Sequence, residues 1–341
     1  MNAQSQVLWP RFKGDKTIEF ERREVPTVGR GQLLIRSQAN AVCASEVGAY
    51  LRGSRVTPGH ECAGIVAVAG EGTSTRVGTP GVVFLMDFCG QCRSCRHGYT
   101  NQCLAKRADY GFSHDGGYGP FVLVNENVFF PVDPDLLPAE STLLLDVMGT
   151  GGHSIKRARS AHPDPRSLLI TGCGPIGLGI LAMAKITLGK DFPVLITDMI
   201  PYRLALAERL GGRTIAIDRE SIPDGLKRHG FAEVDLAIDS SGKSQARRGA
   251  LDVLAKRGVL ALVGHGQDLA LDVSRDMIGP ERTVLGSEYF CYNELPQNLE
   301  YLLKNRAYLG QIVTERHPVS EIKQAFDAFL LQKTGKVVVE Q

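Results

Sequence analysis

Residues 168–185 read LLITGCGPIGLGILAMAK, and this stretch decides half of the fold. Its glycines, Gly172, Gly174 and Gly177, form the pattern G-x-G-x-x-G between an apolar strand and an apolar helix that opens at Pro175 and Ile176. The first glycine makes the tight turn, the second lets the backbone approach a pyrophosphate, and the third allows close packing of the helix. Because a helix N-terminus supplies unpaired N–H donors and the positive end of the dipole, the stretch predicts a phosphate-binding loop.

The next apolar run, PVLITD, ends in Asp198, which lies 21 residues beyond Gly177. A carboxylate at this spacing accepts hydrogen bonds from both ribose hydroxyls of an adenosine and repels a 2′-phosphate, so the predicted cofactor is NAD. Arg203 lies close by in the sequence and is able to accommodate a phosphate, which leaves NADP as the less favoured alternative. In the simplest alternative, the glycines form an ordinary turn and Asp198 caps a helix.

From residue 167 onward, apolar runs alternate with helical segments. Strands that are apolar throughout and separated by helices predict a doubly wound parallel sheet covered on both faces. Residues that follow the later strands are expected to contact the far side of the cofactor. These residues are Ser240 in DSSG, Val263 and Gly264 in LVGHG, and Ser287 in GSEYF.

The part of the chain before residue 150 has a different pattern, with short β-type runs punctuated by Gly and Pro, such as QLLIRSQANAV and GVVFLM. This pattern predicts an irregular β-rich domain. The stretch SAHPDPRS at 160–167 is typical of an exposed connection between domains. The last strand, GKVVVE, is expected to return to the first domain.

The composition is that of an ordinary globular protein, with 39 basic and 37 acidic side chains among 341 residues. The basic residues are scattered, which argues against a nucleic-acid partner. The N-terminal stretch MNAQSQVLWPRFKGDK lacks the apolar core of a signal peptide, and no run is long enough to span a membrane. We therefore expect a cytoplasmic protein without a membrane partner, whose clustered thiols are reduced and bind metal.

Four of the eight cysteines lie in FCGQCRSCRHGYTNQCLAK at 88–106, with the spacing C-x2-C-x2-C-x7-C. Four thiolates at such spacing suit a tetrahedral zinc with no open position, which is typical of a structural site. An iron–sulfur cluster and a set of free thiols are the alternatives. The predicted ligands are Cys89, Cys92, Cys95 and Cys103.

A catalytic metal needs ligands that leave one coordination position open. Cys43 in AVCASEVGAY and the pair His60 and Glu61 in TPGHECAG offer sulfur, nitrogen and oxygen from two neighbouring segments. Taken singly, a cysteine is more often a core residue, and a His–Glu pair is more often a surface ion pair. Their combination with a cysteine cluster and a dinucleotide-binding loop favours a catalytic zinc site.

These motifs together resemble the medium-chain, zinc-containing alcohol and polyol dehydrogenases, in particular the sorbitol and threonine dehydrogenase branch. Cys43, PGHE, the four-cysteine segment, DGGYGPFVLV, GCGPIGLGILAMAK and VLITD follow one another over nearly the full length. The resemblance implies an α/β protein with an irregular, GroES-like β-rich catalytic domain and a Rossmann domain. The implied boundaries are 1–155 for the catalytic zinc-binding domain, 156–288 for the NAD-binding domain and 289–341 for the return to the catalytic domain.

The resemblance also assigns roles to single residues. Cys43 and His60 match the catalytic zinc ligands, and Glu61 matches the acid next to them. Asp146, in LLLDVMGTGGHS, matches a further carboxylate that is usually Glu. Because Asp is one methylene shorter, it is expected to reach the metal either directly or through water.

Three further positions near Cys43 bear on the site: two concern the transfer of the substrate proton and one concerns the orientation of a ligand. Ser45 matches the hydroxyl that accepts the substrate proton, or else is a hydrogen-bonded core residue. The relay histidine of the family is replaced by Gly48, so the proton must leave through water or another group. Glu46 stands where relatives usually have Asp, and is expected to orient a ligand or cap a helix.

The implied reaction is transfer of a hydride between a secondary alcohol and NAD, with zinc polarising the hydroxyl. Since position 146 carries no cysteine, a polyol, cyclitol or sugar is the favoured substrate, and a threonine-like amino alcohol is the alternative. The fold also serves zinc-free reductases, which would lack ligands such as Cys43 and His60, and nucleotide-binding relatives without turnover. The resemblance further implies a homodimer or homotetramer.

Overall fold

The computed structural model describes residues 6–341, and these divide into two compact units. Unit 1 comprises the residues up to 145 together with 291–306 and 313–341, and unit 2 comprises 146–290 and 307–312. No helix of the described chain has the length and apolarity of a membrane span.

The strands of the described chain are, in order, β1 (Gln6–Gly14), β2 (Thr17–Glu24), β3 (Gln32–Ala41), β4 (Cys62–Ala69), β5 (Pro80–Val83), β6 (Met86–Asp87), β7 (Ala108–Asp109), β8 (Phe121–Asn125), β9 (Phe129–Pro131), β10 (Leu168–Thr171), β11 (Val194–Asp198), β12 (Arg213–Ala216), β13 (Val234–Asp239), β14 (Leu254–Leu262), β15 (Thr283–Gly286), β16 (Val313–Pro318) and β17 (Lys336–Glu340).

The α-helices are α1 (Val47–Arg52), α2 (Arg93–Arg96), α3 (Pro138–Ser141), α4 (Gly151–Ala161), α5 (Pro175–Thr187), α6 (Pro201–Arg209), α7 (Ile222–Arg228), α8 (Ser244–Asp252), α9 (Leu295–Lys304), α10 (Arg306–Leu309) and α11 (Ile322–Leu330). Two shorter turns matter for the site: a 3₁₀ turn at Ala44–Glu46 and a π-helical turn at Asp146–Thr150.

Unit 2 is built on a parallel six-stranded sheet with the order β12-β11-β10-β13-β14-β15. Counted along the chain from β10, this is the order 3-2-1-4-5-6 of the Rossmann fold. All four residues of β10 are buried, as expected for a central strand covered on both faces. The strand order reverses between β10 and β13, and ligands of such sheets bind at the carboxyl ends of the strands at this point. The glycine-rich loop follows β10 and therefore lies there.

Unit 1 contains a seven-stranded sheet with the order β16-β17-β3-β4-β5-β9, to which β8 adds by pairing with β3. The C-terminal strand β17 runs antiparallel to β3, so the end of the described chain returns to this unit. Strands β3 and β4 are also antiparallel, with Asn40 opposite Cys62. Because β3 ends where β4 begins, the residues that follow β3 and those that precede β4 lie at the same end of the sheet.

The change from one unit to the other falls at residue 145, ten residues before the boundary placed from the sequence. The physical reason is packing, because the π-helical turn and α4 pack against α5 within unit 2. Residues 307–312 also belong to unit 2, where the Tyr308 hydroxyl donates a 2.8 Å hydrogen bond to the carbonyl of Leu210. The polar stretch at 160–167 is therefore a connection inside unit 2.

Candidate active site and metal centres

Cys43 and His60 meet in unit 1 at the end of the sheet where β3 ends and β4 begins. Cys43 is the N-cap residue of the 3₁₀ turn Ala44–Glu46, and His60 and Glu61 directly precede β4. A thiol sulfur, an imidazole nitrogen and a carboxylate oxygen of Cys43, His60 and Glu61 lie within 4.8 Å of one another. This donor set of sulfur, nitrogen and oxygen is the kind that zinc binds, so the residues fit a zinc site.

The buried carboxylate of Glu46 contacts two members of this group, His60 and Cys43. Its Oε1 atom lies 2.7 Å from Nδ1 of His60 and accepts the backbone N–H of the same residue at 3.0 Å. A carboxylate only accepts hydrogen bonds, so the proton of a neutral imidazole is assigned to Nδ1. The lone pair is then on Nε2, and Nε2 is the nitrogen that would bind a metal.

The second oxygen of Glu46 is held by Tyr118. The Tyr118 hydroxyl donates to Oε2 of Glu46 at 2.7 Å, and the backbone N–H of Cys43 approaches the same oxygen at 3.4 Å. Burial and the neighbouring carboxylate of Glu46 raise the pKa of Tyr118 well above its usual value, so the hydroxyl stays protonated and donates. Tyr118 was not singled out from the sequence, where DGGYGPFVLV served only as a family motif.

We expect Tyr118→Phe to weaken zinc binding at this site about tenfold, because groups that orient a metal-binding histidine contribute to affinity. Competition with a chromophoric zinc chelator measures the change. Tyr50→Phe is the matched control, because it removes another hydroxyl of the same core that donates to Asp327 at 2.8 Å. Equal zinc affinity in the two variants would contradict the orienting role of Tyr118.

Glu61 is engaged by a buried lysine. Lys336, at the start of β17, forms an ion pair with Oε1 of Glu61, and both side chains are almost fully buried. Oε1 also lies 3.9 Å from Nε2 of His60. A buried charge requires such a partner, since leaving it unpaired is costly. No sequence signal pointed to Lys336, because it lies 275 positions from Glu61 and is brought there by strand pairing.

Ser45 is exposed and lines a cavity of about 230 Å³ in unit 1, together with Glu46, Gly48, Arg52 and Phe112. The ring of Phe112 lies against that of His60, with a centroid distance of 5.1 Å. A Cβ atom on Gly48 would lie 2.6 Å from Nη2 of Arg52, so the guanidinium occupies the space beside this residue. The space at the position where the family resemblance implies a histidine is thus occupied by an arginine one helical turn later.

Asp146 is the first residue of unit 2 and is bonded directly to Leu145 of unit 1. It opens the π-helical turn Asp146–Thr150, is buried, and accepts a 3.4 Å hydrogen bond from the Thr150 hydroxyl. Short π-helical turns are rare and are frequent at functional sites. Asp146 therefore stands in a kind of backbone turn that is frequent at functional sites.

The four cysteines of the segment 88–106 form a second cluster in unit 1, and their sulfurs all lie within 4.8 Å of one another. The Cys92 sulfur is 3.5 Å from that of Cys95 and 4.0 Å from that of Cys103. Sulfurs at the corners of a zinc tetrahedron are about 3.8 Å apart, given a Zn–S distance of about 2.3 Å. Ligands of an iron–sulfur cluster bind different iron atoms, so this compact arrangement favours a single ion.

Backbone N–H groups point at these sulfurs. The N–H groups of Cys89 and Cys92 donate to the sulfurs of Cys103 and Cys89 at 3.2 and 3.3 Å. Backbone donors at Cys95 and Leu104 lower the pKa of Cys92 to about 6, which favours the thiolate that a metal requires. Burial raises the pKa of Cys95 to about 12, so a bound metal would have to displace its proton.

The glycine-rich loop of unit 2 has the geometry of a phosphate-binding turn. Gly172 has φ of +96°, and a Cβ atom on Gly177 would lie 1.9 Å from the carbonyl oxygen of Gly172, so both positions require glycine. A Cβ on Gly174 would meet nothing within 4 Å, which leaves space for a ligand above the loop. Helix α5 begins at Pro175, and the N–H groups of its first turn, including that of Ile176, have no acceptor within the helix.

Asp198 accepts backbone hydrogen bonds at the end of β11, whereas the N-cap residue of α6 is Ile200. Oδ1 of Asp198 accepts the N–H groups of Met199 and Ile200 at 2.7 and 2.9 Å, ahead of α6. Its Oδ2 accepts the N–H of Cys173 at 2.7 Å and so ties β11 to the glycine-rich loop. A carboxylate oxygen has two lone pairs, so Oδ2 is able to accept one ribose hydroxyl as well. Nε of Arg203 is buried without a hydrogen-bond partner among the described residues, which suits a ligand at this end of the sheet.

The other predicted cofactor residues lie at the carboxyl ends of β13, β14 and β15. The Ser240 hydroxyl donates to the carbonyls of Thr171 and Gly172 at 3.0 and 3.1 Å and so stabilises the glycine-rich loop. Val263 and Gly264 each donate a backbone hydrogen bond of 2.9 Å to the carbonyl of Asp239. The hydroxyl of Ser287 is buried and has no partner within residues 6–341, so a cofactor amide would satisfy it.

A buried ion pair between Asp239 and Arg247 organises these loops and was not predicted. Oδ2 of Asp239 accepts Nε of Arg247 at 2.9 Å, and the guanidinium also donates to the carbonyls of Gly264 and Gln267. Asp239 ends β13 and Arg247 lies on α8. The sequence signal was the DSSG stretch itself, from which only Ser240 was selected.

Comparison with known proteins agrees with this fold. Residues 29–134 match the alcohol dehydrogenase GroES-like domain, and residues 175–304 match the zinc-binding dehydrogenase model. The L-threonine 3-dehydrogenase of Colwellia psychrerythraea is 28% identical over 97% of this chain and 98% of the relative. The solved L-idonate 5-dehydrogenase of Escherichia coli K-12 superposes with a TM-score of 0.84 at 21% identity, over 99% of both chains. An alcohol dehydrogenase of E. coli CFT073 complexed with NADH gives a TM-score of 0.88 at 20% identity, over 99% of this chain and 100% of that one.

The chain belongs to the zinc-containing alcohol dehydrogenase family. It is therefore an oxidoreductase that acts on CH–OH groups, and zinc and NAD are the cofactors of the family to which it belongs. The predicted fold class, a GroES-like β-rich domain with a Rossmann domain, is confirmed.

Proposed function

We propose that this protein transfers a hydride between a secondary alcohol of a polyol, cyclitol or sugar and NAD. The observation that carries the proposal is the group of Cys43, His60 and Glu61, whose ligand atoms lie within 4.8 Å of one another. A histidine whose Nδ1 is held by a buried carboxylate presents its Nε2 to a metal. A zinc-free reductase does not require this arrangement. A nucleotide-binding protein without turnover would not require it either.

The proposed ligands are Cys43, His60 and Asp146, with Glu61 as an additional carboxylate whose Oε1 is held by Lys336. A thiolate and two carboxylates concentrate negative charge, which a dication offsets. When bound, zinc supplies Lewis acidity that lowers the pKa of a substrate hydroxyl. Support for Asp146 comes from its burial, its place directly after Leu145 and the π-helical turn that it opens.

Ser45 is the proposed acceptor of the substrate proton. It is exposed, it lies two residues after Cys43, and it lines the 230 Å³ cavity beside Gly48. Because no side chain extends from Gly48, the proton passes from Ser45 to water in this cavity. This route takes the place of the histidine relay that the family resemblance implies.

The proposed preference for NAD over NADP is assigned to the charge of Asp198. We expect Asp198→Asn to raise the ratio of kcat/KM for NADP to that for NAD by at least about tenfold, because the repulsion of a 2′-phosphate is removed. Asn keeps the size of the side chain and one acceptor for the N–H groups at this position. Asp218→Asn is the matched control, since Asp218 pairs with Arg219 at the surface of unit 2. An unchanged ratio in Asp198→Asn would assign the preference elsewhere.

The substrate class is tested by a panel of polyols, cyclitols, sugars and L-threonine with NAD and with NADP, following the absorbance of the reduced nicotinamide. We expect turnover with at least one compound that carries neighbouring hydroxyls, since these chelate zinc. L-Threonine is the second candidate, favoured by the 28% identity with an L-threonine 3-dehydrogenase. The absence of turnover with every compound of this panel and with their carboxylated and phosphorylated derivatives would contradict the proposed function.

We further propose a homodimer or homotetramer that works in the cytoplasm. Strand β15 lies at the edge of the unit 2 sheet and offers unpaired backbone groups to a second copy. Light scattering after size-exclusion chromatography measures the mass, and a monomer at micromolar concentration would contradict the proposal.

A further inference from the structure

A second cavity of unit 1 adjoins the one that Ser45 lines. It has a volume of about 380 Å³, and it shares Arg52, Gly53 and Ser54 with the first cavity. Its other lining residues are Arg11, Phe12, Lys13 and Arg55. Four of the seven lining residues are thus cationic, and none is acidic.

Three of these four cationic side chains have no acidic partner within residues 6–341. Arg11, Arg52 and Arg55 form no ion pair within residues 6–341; Arg11 instead donates to the carbonyl of Arg55 at 3.0 Å. Lys13 faces Glu19 at 3.7 Å, but both side chains are more than half exposed, so the pair is weak. A cavity with an excess of unpaired cations attracts an anion.

Arg52 connects this cavity with the proposed reaction site. Ser45, Gly48 and Arg52 follow one another at intervals of three and four residues across the 3₁₀ turn and α1, so they lie on one face. The missing side chain at Gly48 gives the Arg52 guanidinium room to lie along this face, where a Cβ would come within 2.6 Å of Nη2. A ligand whose hydroxyl lies at Ser45 would therefore place its far end near Arg52.

We propose that this basic cavity binds the anionic end, a carboxylate or a phosphate, of a hydroxylated substrate whose reacting hydroxyl lies at Ser45. The substrate class is then a sugar acid or a sugar phosphate rather than a neutral polyol. Arg52 is the main contact, because its planar fork donates two parallel hydrogen bonds to either group. Arg11, Lys13 and Arg55 supply the surrounding positive charge. The inference rests on the proposed function for the position of the reacting hydroxyl, and the binding site itself stands independently.

The test compares the wild-type protein with Arg52→Gln, Arg52→Lys and a control, Arg30→Gln. Arg30 is an exposed arginine of the same unit outside both cavities, so its replacement changes the net charge equally. Calorimetry measures the binding of gluconate and of inorganic phosphate to the zinc-loaded protein. A steady-state assay compares D-sorbitol, D-gluconate and sorbitol 6-phosphate.

We expect at least one anion to bind to the wild-type protein and to the control, and to bind at least about tenfold more weakly to Arg52→Gln. Arg52→Lys should restore part of this affinity, because it keeps the charge but loses the fork. Gluconate binding identifies a carboxylate, and phosphate binding identifies a phosphoryl group. In the wild-type protein the matching charged substrate should have a higher kcat/KM than D-sorbitol, and this advantage should be lost in Arg52→Gln.

The two proposals fail separately. If no compound of the assay is oxidised, the proposed function fails, and the calorimetric comparison still decides the anion site. If neither anion binds, or if both bind equally to the wild-type protein and to Arg52→Gln, the anion site is overturned while the proposed function stands.

Discussion

Replacing Cys43 with serine is expected to reduce the zinc content from two ions per chain to one and to lower turnover by at least about a thousandfold. Serine is a poor zinc ligand at neutral pH, since its hydroxyl does not ionise as a thiol does. The loss of a Lewis acid worth several kcal/mol then removes most of the rate. Elemental analysis by mass spectrometry and the rate of NADH formation measure the two effects.

Cys62→Ala is the matched control for this experiment. Cys62 begins β4, close in sequence to His60, but its thiol is buried beside the Ser37 hydroxyl at 3.6 Å and belongs to no candidate metal cluster of the described chain. Burial raises the pKa of Cys62 to about 12, so it is a poor ligand. The control should keep two zinc ions, and a Cys43→Ser protein that also keeps two would contradict the assignment of Cys43.

Replacing Cys92 with serine is expected to remove the other zinc and to lower the melting temperature by about 10 °C. The free energy of binding of a structural zinc is part of the free energy of folding, and each kcal/mol shifts the melting temperature of a large domain by about 2–4 °C. Scanning calorimetry measures the shift. Limited digestion with trypsin should also cleave at Arg93 and Arg96 on α2, which the cluster normally holds in place.

The two cysteine variants should differ in kind. Cys43→Ser should abolish turnover and leave the melting temperature within a few degrees of the wild type. Cys92→Ser should destabilise the protein and retain measurable turnover at low temperature, because its metal has no open position. A Cys92→Ser protein with an unchanged melting temperature would contradict a structural role for the four-cysteine cluster.

The sequence predicted those parts of the structure whose signals are local. The glycine pattern from Gly172 to Gly177 follows a buried strand and opens α5. A Cβ atom on Gly177 would lie 1.9 Å from the carbonyl oxygen of Gly172, so only glycine fits at this position. The spacing of the four cysteines likewise requires a tight loop, and the structure places their sulfurs together.

The sequence left open the roles of residues with two possible uses. Asp198 was expected either to bind ribose or to cap a helix. Its Oδ1 accepts two backbone N–H groups that precede α6, its Oδ2 accepts the N–H of Cys173, and one lone pair of Oδ2 is left for a ribose hydroxyl. Glu46 was expected to orient a ligand or cap a helix. Its carboxylate contacts the proposed ligand His60, which no spacing rule would have revealed.

The sequence did not predict two kinds of contact. One is formed between distant strands, and the other is formed by a side chain that occupies the space beside a glycine. Lys336 reaches Glu61 only because β17 pairs with β3, and such register cannot be read from either segment alone. Gly48 was interpreted as a missing relay group. Its effect on the site comes from Arg52, which occupies the space that a side chain at position 48 would fill.

The most direct test of a catalytic zinc at Cys43 is an anomalous difference map from crystals of the purified protein, recorded at the zinc absorption edge. We predict two peaks per chain, one among the sulfurs of Cys89, Cys92, Cys95 and Cys103, and one next to the Cys43 sulfur and Nε2 of His60. A single peak in the four-cysteine cluster, with none at Cys43, would contradict the account.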